Sequence, residues 1–358
     1  MSLTINDTAA HPSATATPTV IAAALAERFA HTAAARDLAG GTPKAERDLL
    51  RASGLLRLSI PKEYGGLGAS WAETLAVVRQ LTRADSSVGH VFAFHHLQLA
   101  TVRLFGQPAQ WEPWLTETAR HNWFWGNALN PLDKRTLARR VDGGREFSGN
   151  KSFCSGALDS DMLLVSALED SADGKLIIAA VPTQRAGIRL FEDWDNMGQR
   201  QTDSGSAVFE RVAVAEDEIL ADPGPLSSPR ACLRPLLAQL VFVNVYLGIA
   251  EGAFAEARNY TRTQARLWPA SPAGEVTEDL YVLRHYGEFW VALEGARKLA
   301  DHAARLFDAA WNEGAGLTEA GRGDVAVAVA TAKLAATRAG LDLTSRMFEV
   351  TGARSTTA

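Results

Sequence analysis

Cysteine is scarce: 358 residues contain only Cys154 and Cys232. Two thiols cannot build a disulfide framework, and no His or Cys stands near them at metal-ligand spacing, so no metal site is expected. Cys154 falls in an apolar stretch, where a strand residue acting as a small buried hydrophobe is expected. Positive charge is also short. Lys and Arg number 36 against 41 Asp and Glu, a net charge of −5, which offers no basic footprint for nucleic acid. The local cluster Arg135, Arg139 and Arg140 lies among polar residues and reads as a solvated face. No Lys or Arg precedes Arg28, so the beginning lacks the cationic region of a secretory signal. The longest apolar run, Leu236 to Ala250, is broken by Gln239 and Asn244 and reads as too short to span a bilayer. A cytoplasmic protein without membrane or nucleic-acid partners is expected. A GxGxxG fingerprint is missing as well, and the glycine-rich IPKEYGGLGAS (60–70) lacks the preceding strand and following helix that a nicotinamide dinucleotide site requires.

What is present is an ordinary globular composition, 47% hydrophobic and 22% charged, at a length that implies two or three domains. Residues 1–18, rich in Thr, Ala, Ser and Pro, read as a disordered tail. Helical periodicity dominates 19–121. Val20 to Leu38 forms one Ala-rich helix, Thr42-Pro43 opens another, and Ser70 with Glu73 makes a capping box for a third. Ser86 to Phe105 reads as a long helix closed by Gly106, with His95 and His96 about a quarter-turn apart on it. Near residue 122 the period changes, and short strands with tight turns continue to 222 as a compact β-barrel or sandwich. Within it, Gly149-Asn150 reads as a turn, Ser155-Gly156-Ala157 as a corner of small residues, and Met162–Ser166 as an apolar strand. A linker, 223–231, leads to 232–358, where long helices with many alanines make a bundle with surface left over for subunit contacts.

Three segments carry a resemblance. GNKSFCSGALDSD (149–161), MGQRQTDSGSAVFERVAV (197–214) and GIAEGAFAEARNYTRTQARLW (248–268) are similar to motifs of the acyl-CoA dehydrogenase superfamily, in the same order and spacing. RASGLL (51–56), EYGGLGASW (63–71), RQTDSGS (200–206) and FEVTGAR (348–354) narrow the resemblance to its flavin-dependent monooxygenase branch, the dibenzothiophene monooxygenase type. The resemblance implies an α+β fold of N-terminal helical domain, central β domain and C-terminal bundle, assembled as a homotetramer. It implies reduced FMN delivered by a separate NAD(P)H:flavin reductase, dioxygen bound at the flavin C4a carbon as a (hydro)peroxide, and oxygen transfer to an organosulfur or related heteroatom or aromatic substrate. The alternatives are an FAD-dependent acyl-CoA dehydrogenase and a catalytically inactive subunit of the same fold. Dehydrogenases need a carboxylate base to remove a weakly acidic α-proton. In many of them it follows the turn that matches Thr351-Gly352-Ala353-Arg354, yet no carboxylate lies beyond Glu349. Members of the branch continue past the position of Ala358 with an aromatic- and basic-rich tail carrying a histidine, so part of the catalytic shell is expected outside this sequence.

Residue by residue, the resemblance assigns catalysis to His95, Ser160 and Asn127, with Ser160 at flavin N5 and His95 facing flavin and substrate. Ser155, Asn127 and Trp125 would line the ring edge, Trp194 would pack beside it, and Thr202 and Ser204 would offer hydroxyls. Arg266 would hold the FMN phosphate, for which a planar guanidinium is suited. Phe92, Phe94, His96, Leu97 and Trp125 would wall an apolar substrate pocket.

Overall fold

The computed structural model describes residues 17–172 and 174–357. The expected disordered tail lies almost wholly outside them, although a helix already begins at Pro18. The amino-terminal helices are α1 (Pro18–Ala30), α2 (Ala33–Ala39), α3 (Lys44–Ser53), α4 (Trp71–Ala84), α5 (Ser86–Phe105) and α6 (Pro108–His121). The single helix expected over Val20 to Leu38 is split at His31-Thr32, and Pro43 stands just before α3 as its N-cap rather than inside it. The Ser70–Glu73 capping box is present: Glu73 N–H donates to Ser70 Oγ and Ser70 N–H to Glu73 Oε2. Two further N–H groups at this helix start, those of Trp71 and Ala72, donate to the carboxylate of Asp308, 2.6 and 2.9 Å away.

Among the described residues seven strands follow: β1 (Trp125–Ala128), β2 (Thr136–Val141), β3 (Gly144–Lys151), β4 (Met162–Glu169), β5 (Leu176–Pro182), β6 (Ile188–Leu190) and β7 (Ala207–Ala215). They form one curled sheet in the order β1-β4-β2-β3-β7-β6, with β5 added antiparallel to β4. The strand β4 shows why the sheet sits where it does. Its alternate residues Leu163, Val165 and Ala167 enter the interior of the curled sheet, while Met162 and Leu164 join the helical core. Gly149-Asn150 is not a turn. Strand β3 runs straight through it with an irregularity in its pairing to β7, because Gly149 at φ 135° lets the chain pass where a Cβ would lie 2.1 Å from the Arg135 carbonyl. Cys154 is buried but lies in the corner after β3, not in a strand.

The carboxy-terminal part is α7 (Leu233–Thr263), α8 (Leu280–Glu313), α9 (Glu319–Arg346) and the short α10 (Phe348–Thr351). By length and composition α7 is apolar enough to cross a membrane, contrary to the reading of its shorter central run. Here it is packed against α4, α5 and α9 in the core. Gly248 permits the approach to α4, since a Cβ there would lie 1.9 Å from Thr82 Oγ1. Helices α1, α4 and α5 and the bundle helices α7, α8 and α9 thus bury one continuous hydrophobic core, and the curled sheet is pressed onto its side.

Candidate active site

The small-residue corner and the Gln199–Ser204 loop meet beside the first half of α5. Ser155 Oγ lies 2.8 Å from Ser204 Oγ, which lies 2.7 Å from Thr202 Oγ1; the Thr202 hydroxyl donates to the Gln199 carbonyl at 2.9 Å. That carbonyl also accepts from Trp194 Nε1, and the Gln199 side chain reaches His90 Nδ1 at 3.2 Å. On the other flank, Asn127 N–H donates to the Ser155 carbonyl and its amide nitrogen to the Phe153 carbonyl. Asn127 Oδ1 accepts from Gln98 Nε2 on α5 at 3.0 Å. The site is therefore one connected hydrogen-bond network that brings together Asn127, Ser155, Trp194, Thr202 and Ser204.

The network ends in two unused acceptors. Gln199 accepts through Oε1, so Nδ1 of His90 carries the proton and Nε2 keeps its lone pair, buried and without a partner. Burial pushes the His90 imidazole down to about 4, so it is neutral near pH 7. Gln98 Oε1 is likewise buried and unpartnered. Such groups are rare because each forgoes a hydrogen bond. His90 is walled by Phe94 and Phe242, with ring centroids 4.4 and 5.4 Å away, while Phe153, more than half exposed, stands edge-on to Trp194 at 5.5 Å. Exposed aromatic faces, buried hydroxyls and free acceptors fit a flat heterocycle with N–H edges, such as a flavin ring.

A buried ion pair holds the corner in place. Arg47 reaches from α3 to Asp203 at 2.9 Å and donates to the carbonyls of Gly156 and Asp159, with its guanidinium 4.0 Å from the centre of the Phe124 ring. Both charges are out of water. Burial pushes the Asp203 carboxyl up, to about 7, against the opposing pull of Arg47. The pair fixes the residues on both sides of the Ser155–Ser204 contact.

Other assigned residues stand elsewhere. His95 is fully buried with both nitrogens committed: Nε2 to the Leu56 carbonyl at 2.8 Å, and Nδ1 to the Trp125 N–H at 3.1 Å. It ties α5 to β1 and to the turn after α3 instead of facing a ligand. His96, the neighbouring candidate, bonds Ser59 and packs against Phe92, and both lie in the core with Leu97. The reason is helical geometry: His90 and Phe94 are one turn apart and share the open face, whereas Phe92, His95 and His96 point into the interior. Trp125 turns its indole inward to Thr118 Oγ1. Ser160 closes on the Ala157 carbonyl and on Thr183 Oγ1, away from Ser155. Arg266 is exposed on the loop after α7, beside a cavity of about 950 Å³ lined by Tyr260, Trp268, Tyr281 and Arg354 among others, and by none of the sheet residues.

The family models agree with this architecture. The acyl-CoA dehydrogenase N-terminal domain matches residues 15–122 and the acyl-CoA dehydrogenase C-terminal domain matches residues 240–358. The chain belongs to the acyl-CoA dehydrogenase family. Within that family its high-identity relatives are FMNH2-dependent monooxygenases, and this chain is an oxidoreductase of that kind using reduced FMN. A probable FMNH2-dependent monooxygenase, SfnC of Pseudomonas putida, is 63% identical over 94% of this chain and 86% of its own. Dibenzothiophene monooxygenase of Rhodococcus erythropolis is 45% identical over 95% of this chain and 85% of its own. The solved methanesulfinate monooxygenase MsuC of Pseudomonas fluorescens superposes with a TM-score of 0.94 at 64% identity, covering 95% of this chain and 88% of that one.

Sequence reasoning passed over His90, Gln199, Gln98 and Phe242, and likewise the Arg47–Asp203 pair. The signal for His90 was its spacing from Phe94. Gln199 stood inside a motif already singled out. Gln98, Phe242 and the ion pair carry no local signal, since each acquires its place only through contacts far along the chain.

Proposed function

We propose that this chain transfers one oxygen atom from dioxygen to the sulfur of a small organosulfur substrate, using reduced FMN delivered by a separate NAD(P)H:flavin reductase. The reading rests on the connected network from His90 through Gln199, Thr202 and Ser204 to Ser155, which ends in a buried, unprotonated Nε2. Reduced FMN supplies the two electrons that activate dioxygen. Ser155 and Asn127 bind and orient the ring edge, and Trp194 with Phe153 covers it. His90, neutral and with Nδ1–H given to Gln199, accepts a hydrogen bond at Nε2 and so orients the N–H edge of the ring. Phe94 and Phe242 exclude water, which would otherwise discharge the activated oxygen unproductively.

The exposed apolar residues Trp290 and Val291 on α8 and Val327, Leu334 and Leu341 on α9 form the surface of a homotetramer in this reading. Arg266 then serves as an FMN-phosphate ligand supplied across that assembly. The enzyme works in the cytoplasm, where the reductase finds its NAD(P)H.

The test mixes anaerobic protein and photoreduced FMN with oxygenated buffer. The reading expects oxidised-flavin absorbance to return at least about tenfold more slowly than for free reduced FMN, a barrier difference of roughly 1.4 kcal/mol. Return at the free-flavin rate would refute it. Ser155→Ala should weaken FMN binding and uncouple turnover, whereas Ser160→Ala should leave coupling intact. The reverse pattern would restore Ser160 to the flavin.

A further inference from the structure

Ser86 and His90 stand four residues apart on α5 and so lie one turn apart on the same face of the helix. The side-chain amide of Gln199 bridges them: Nε2 donates to Ser86 Oγ at 2.7 Å, and Oε1 lies 3.2 Å from His90 Nδ1. Gln199 is held in the left-handed backbone conformation at φ 54°, which disfavours any residue with a side chain. Its own carbonyl accepts from Trp194 Nε1 and Thr202 Oγ1, so this one residue joins the hydroxyl cluster to α5. Beside the bridge is a cavity of about 330 Å³ lined by Asp37, Asp85, Ser86, Ser87 and Gln201 among others, with Gln199 itself at its wall.

The bridge has two proton arrangements with the same number of hydrogen bonds. An amide accepts at one end and donates at the other, a hydroxyl does either, and so does each nitrogen of a neutral imidazole according to its tautomer. In the arrangement of the structure, Ser86 accepts from the amide nitrogen and the amide oxygen accepts from Nδ1–H, which leaves the lone pair at Nε2. With the amide turned over, Ser86 donates to the amide oxygen, the amide nitrogen donates to a bare Nδ1, and the proton sits on Nε2. Among the described residues the Ser86 hydroxyl has no other partner that would forbid the turn. Burial pushes the imidazole down to about 4, and Gln199, Phe94 and Phe242 bring no charge to it, so the choice at pH 7 is between the two neutral tautomers.

Resting on the function proposed above, we propose that Gln199 and Ser86 are positioning residues that let His90 present either a lone pair or a proton at one point of the groove walled by Phe94 and Phe242. Reduced FMN carries N–H groups at ring nitrogens that are bare in oxidised FMN. The arrangement of the structure meets the N–H edge of the reduced ring. The turned amide meets the bare nitrogen of the oxidised ring, so each form is received without an unsatisfied buried group, and each selects its own tautomer. One proton leaves Nδ1 and one reaches Nε2, both exchanged with water while one form of FMN is replaced by the other. Without the turn, oxidised FMN would set one lone pair against another.

The test reads the tautomer directly, by solid-state NMR of the protein labelled with nitrogen-15 histidine, alone, with oxidised FMN and with anaerobic photoreduced FMN; His90→Gln identifies the signal. Nε2 should be bare in the protein alone and with reduced FMN, and protonated with oxidised FMN. Ser86→Asp puts a group that only accepts at the first turn of α5, where a carboxylate is favoured, and so fixes the amide as it stands in the structure. It should keep Nε2 bare with either flavin and bind oxidised FMN about tenfold more weakly than wild type, with affinity for reduced FMN unchanged. That ratio raises the two-electron potential of bound FMN by about 30 mV, whereas the added negative charge by itself would lower it. Ser86→Thr, which keeps the hydroxyl, should follow wild type in both readouts. A His90 signal identical with oxidised and photoreduced FMN would overturn the inference, as would a Ser86→Asp potential equal to or below that of wild type; slowed flavin reoxidation in the same wild type would leave the oxygenase reading standing. A tautomer that follows the flavin, together with reoxidation at the free-flavin rate, would keep the bridge and remove the oxygenase reading.

Discussion

Replacing His95 by alanine separates a structural histidine from a catalytic one. In the fold its ring joins three elements through two hydrogen bonds to backbone groups, the Leu56 carbonyl and the Trp125 N–H. Alanine leaves both groups buried without partners, at ~1–3 kcal/mol each, and opens a cavity against Phe124. A total loss of about 3–5 kcal/mol follows, a large share of the ~5–15 kcal/mol that stabilises an ordinary domain. There is a pH signature too. Burial lowers the His95 pKa from its ordinary 6.5 to about 3, so the folded state binds fewer protons than the unfolded one between those values. The stability contributed by neutral His95 is therefore fully present above pH 6.5 and is lost as pH falls toward 3. At pH 4.5 the loss from this one group is roughly 2–3 kcal/mol. Urea unfolding followed by circular dichroism at pH 7 and pH 4.5, for wild type and His95→Ala, measures both effects. The variant should unfold at much lower urea at pH 7, and the gap should narrow at pH 4.5. A variant as stable as wild type but without turnover would refute the reasoning and return His95 to the chemistry.

Asp203→Ala strips the buried Arg47 of its main partner and should cost about 3–5 kcal/mol, together with weaker FMN binding; a thermal melt within a degree of wild type would show that the corner is held by something else. Gly149→Ala forces a Cβ to within 2.1 Å of the Arg135 carbonyl and should sharply reduce soluble folded protein, and normal yield with normal turnover would contradict the packing of β3. Burial pushes the Cys154 thiol up to about 12, so a thiol reagent at pH 8 should label native protein at Cys232 alone. Stoichiometric labelling of Cys154 before unfolding would mean that the corner opens.

The helix–sheet–helix order was readable because it depends on period. Ser86 to Phe105 carries its own stop at Gly106, and the β4 stretch alternates between two hydrophobic environments. Motif matching likewise singled out Asn127, Ser155, Trp194, Thr202 and Ser204, which the fold joins in one hydrogen-bond network and which all sit within short local segments. It carries no information where the direction of a side chain decides the matter. His95 and His90 differ by five residues on one helix, yet one faces the core and the other the groove. Ser155 and Ser160 are equally plausible hydroxyls in sequence, and only the positions of Ser204 and Thr183 distinguish them. Arg47 and Asp203 are 156 residues apart, beyond the reach of any local pattern.

The carboxylate of Asp308 caps α4 from 237 residues downstream. On a ribosome adding ~5–20 residues per second, α4 emerges on the order of 10–50 s before the group that closes its first turn. For most of that interval, until α7 (Leu233–Thr263) has been made, the faces of α4 and α5 that finally lie against α7 lack that partner. The nascent chain must therefore wait as loosely held helices beside a sheet that can already pair its strands. It is in this interval, rather than in the finished enzyme, that a chaperone would find the most to hold.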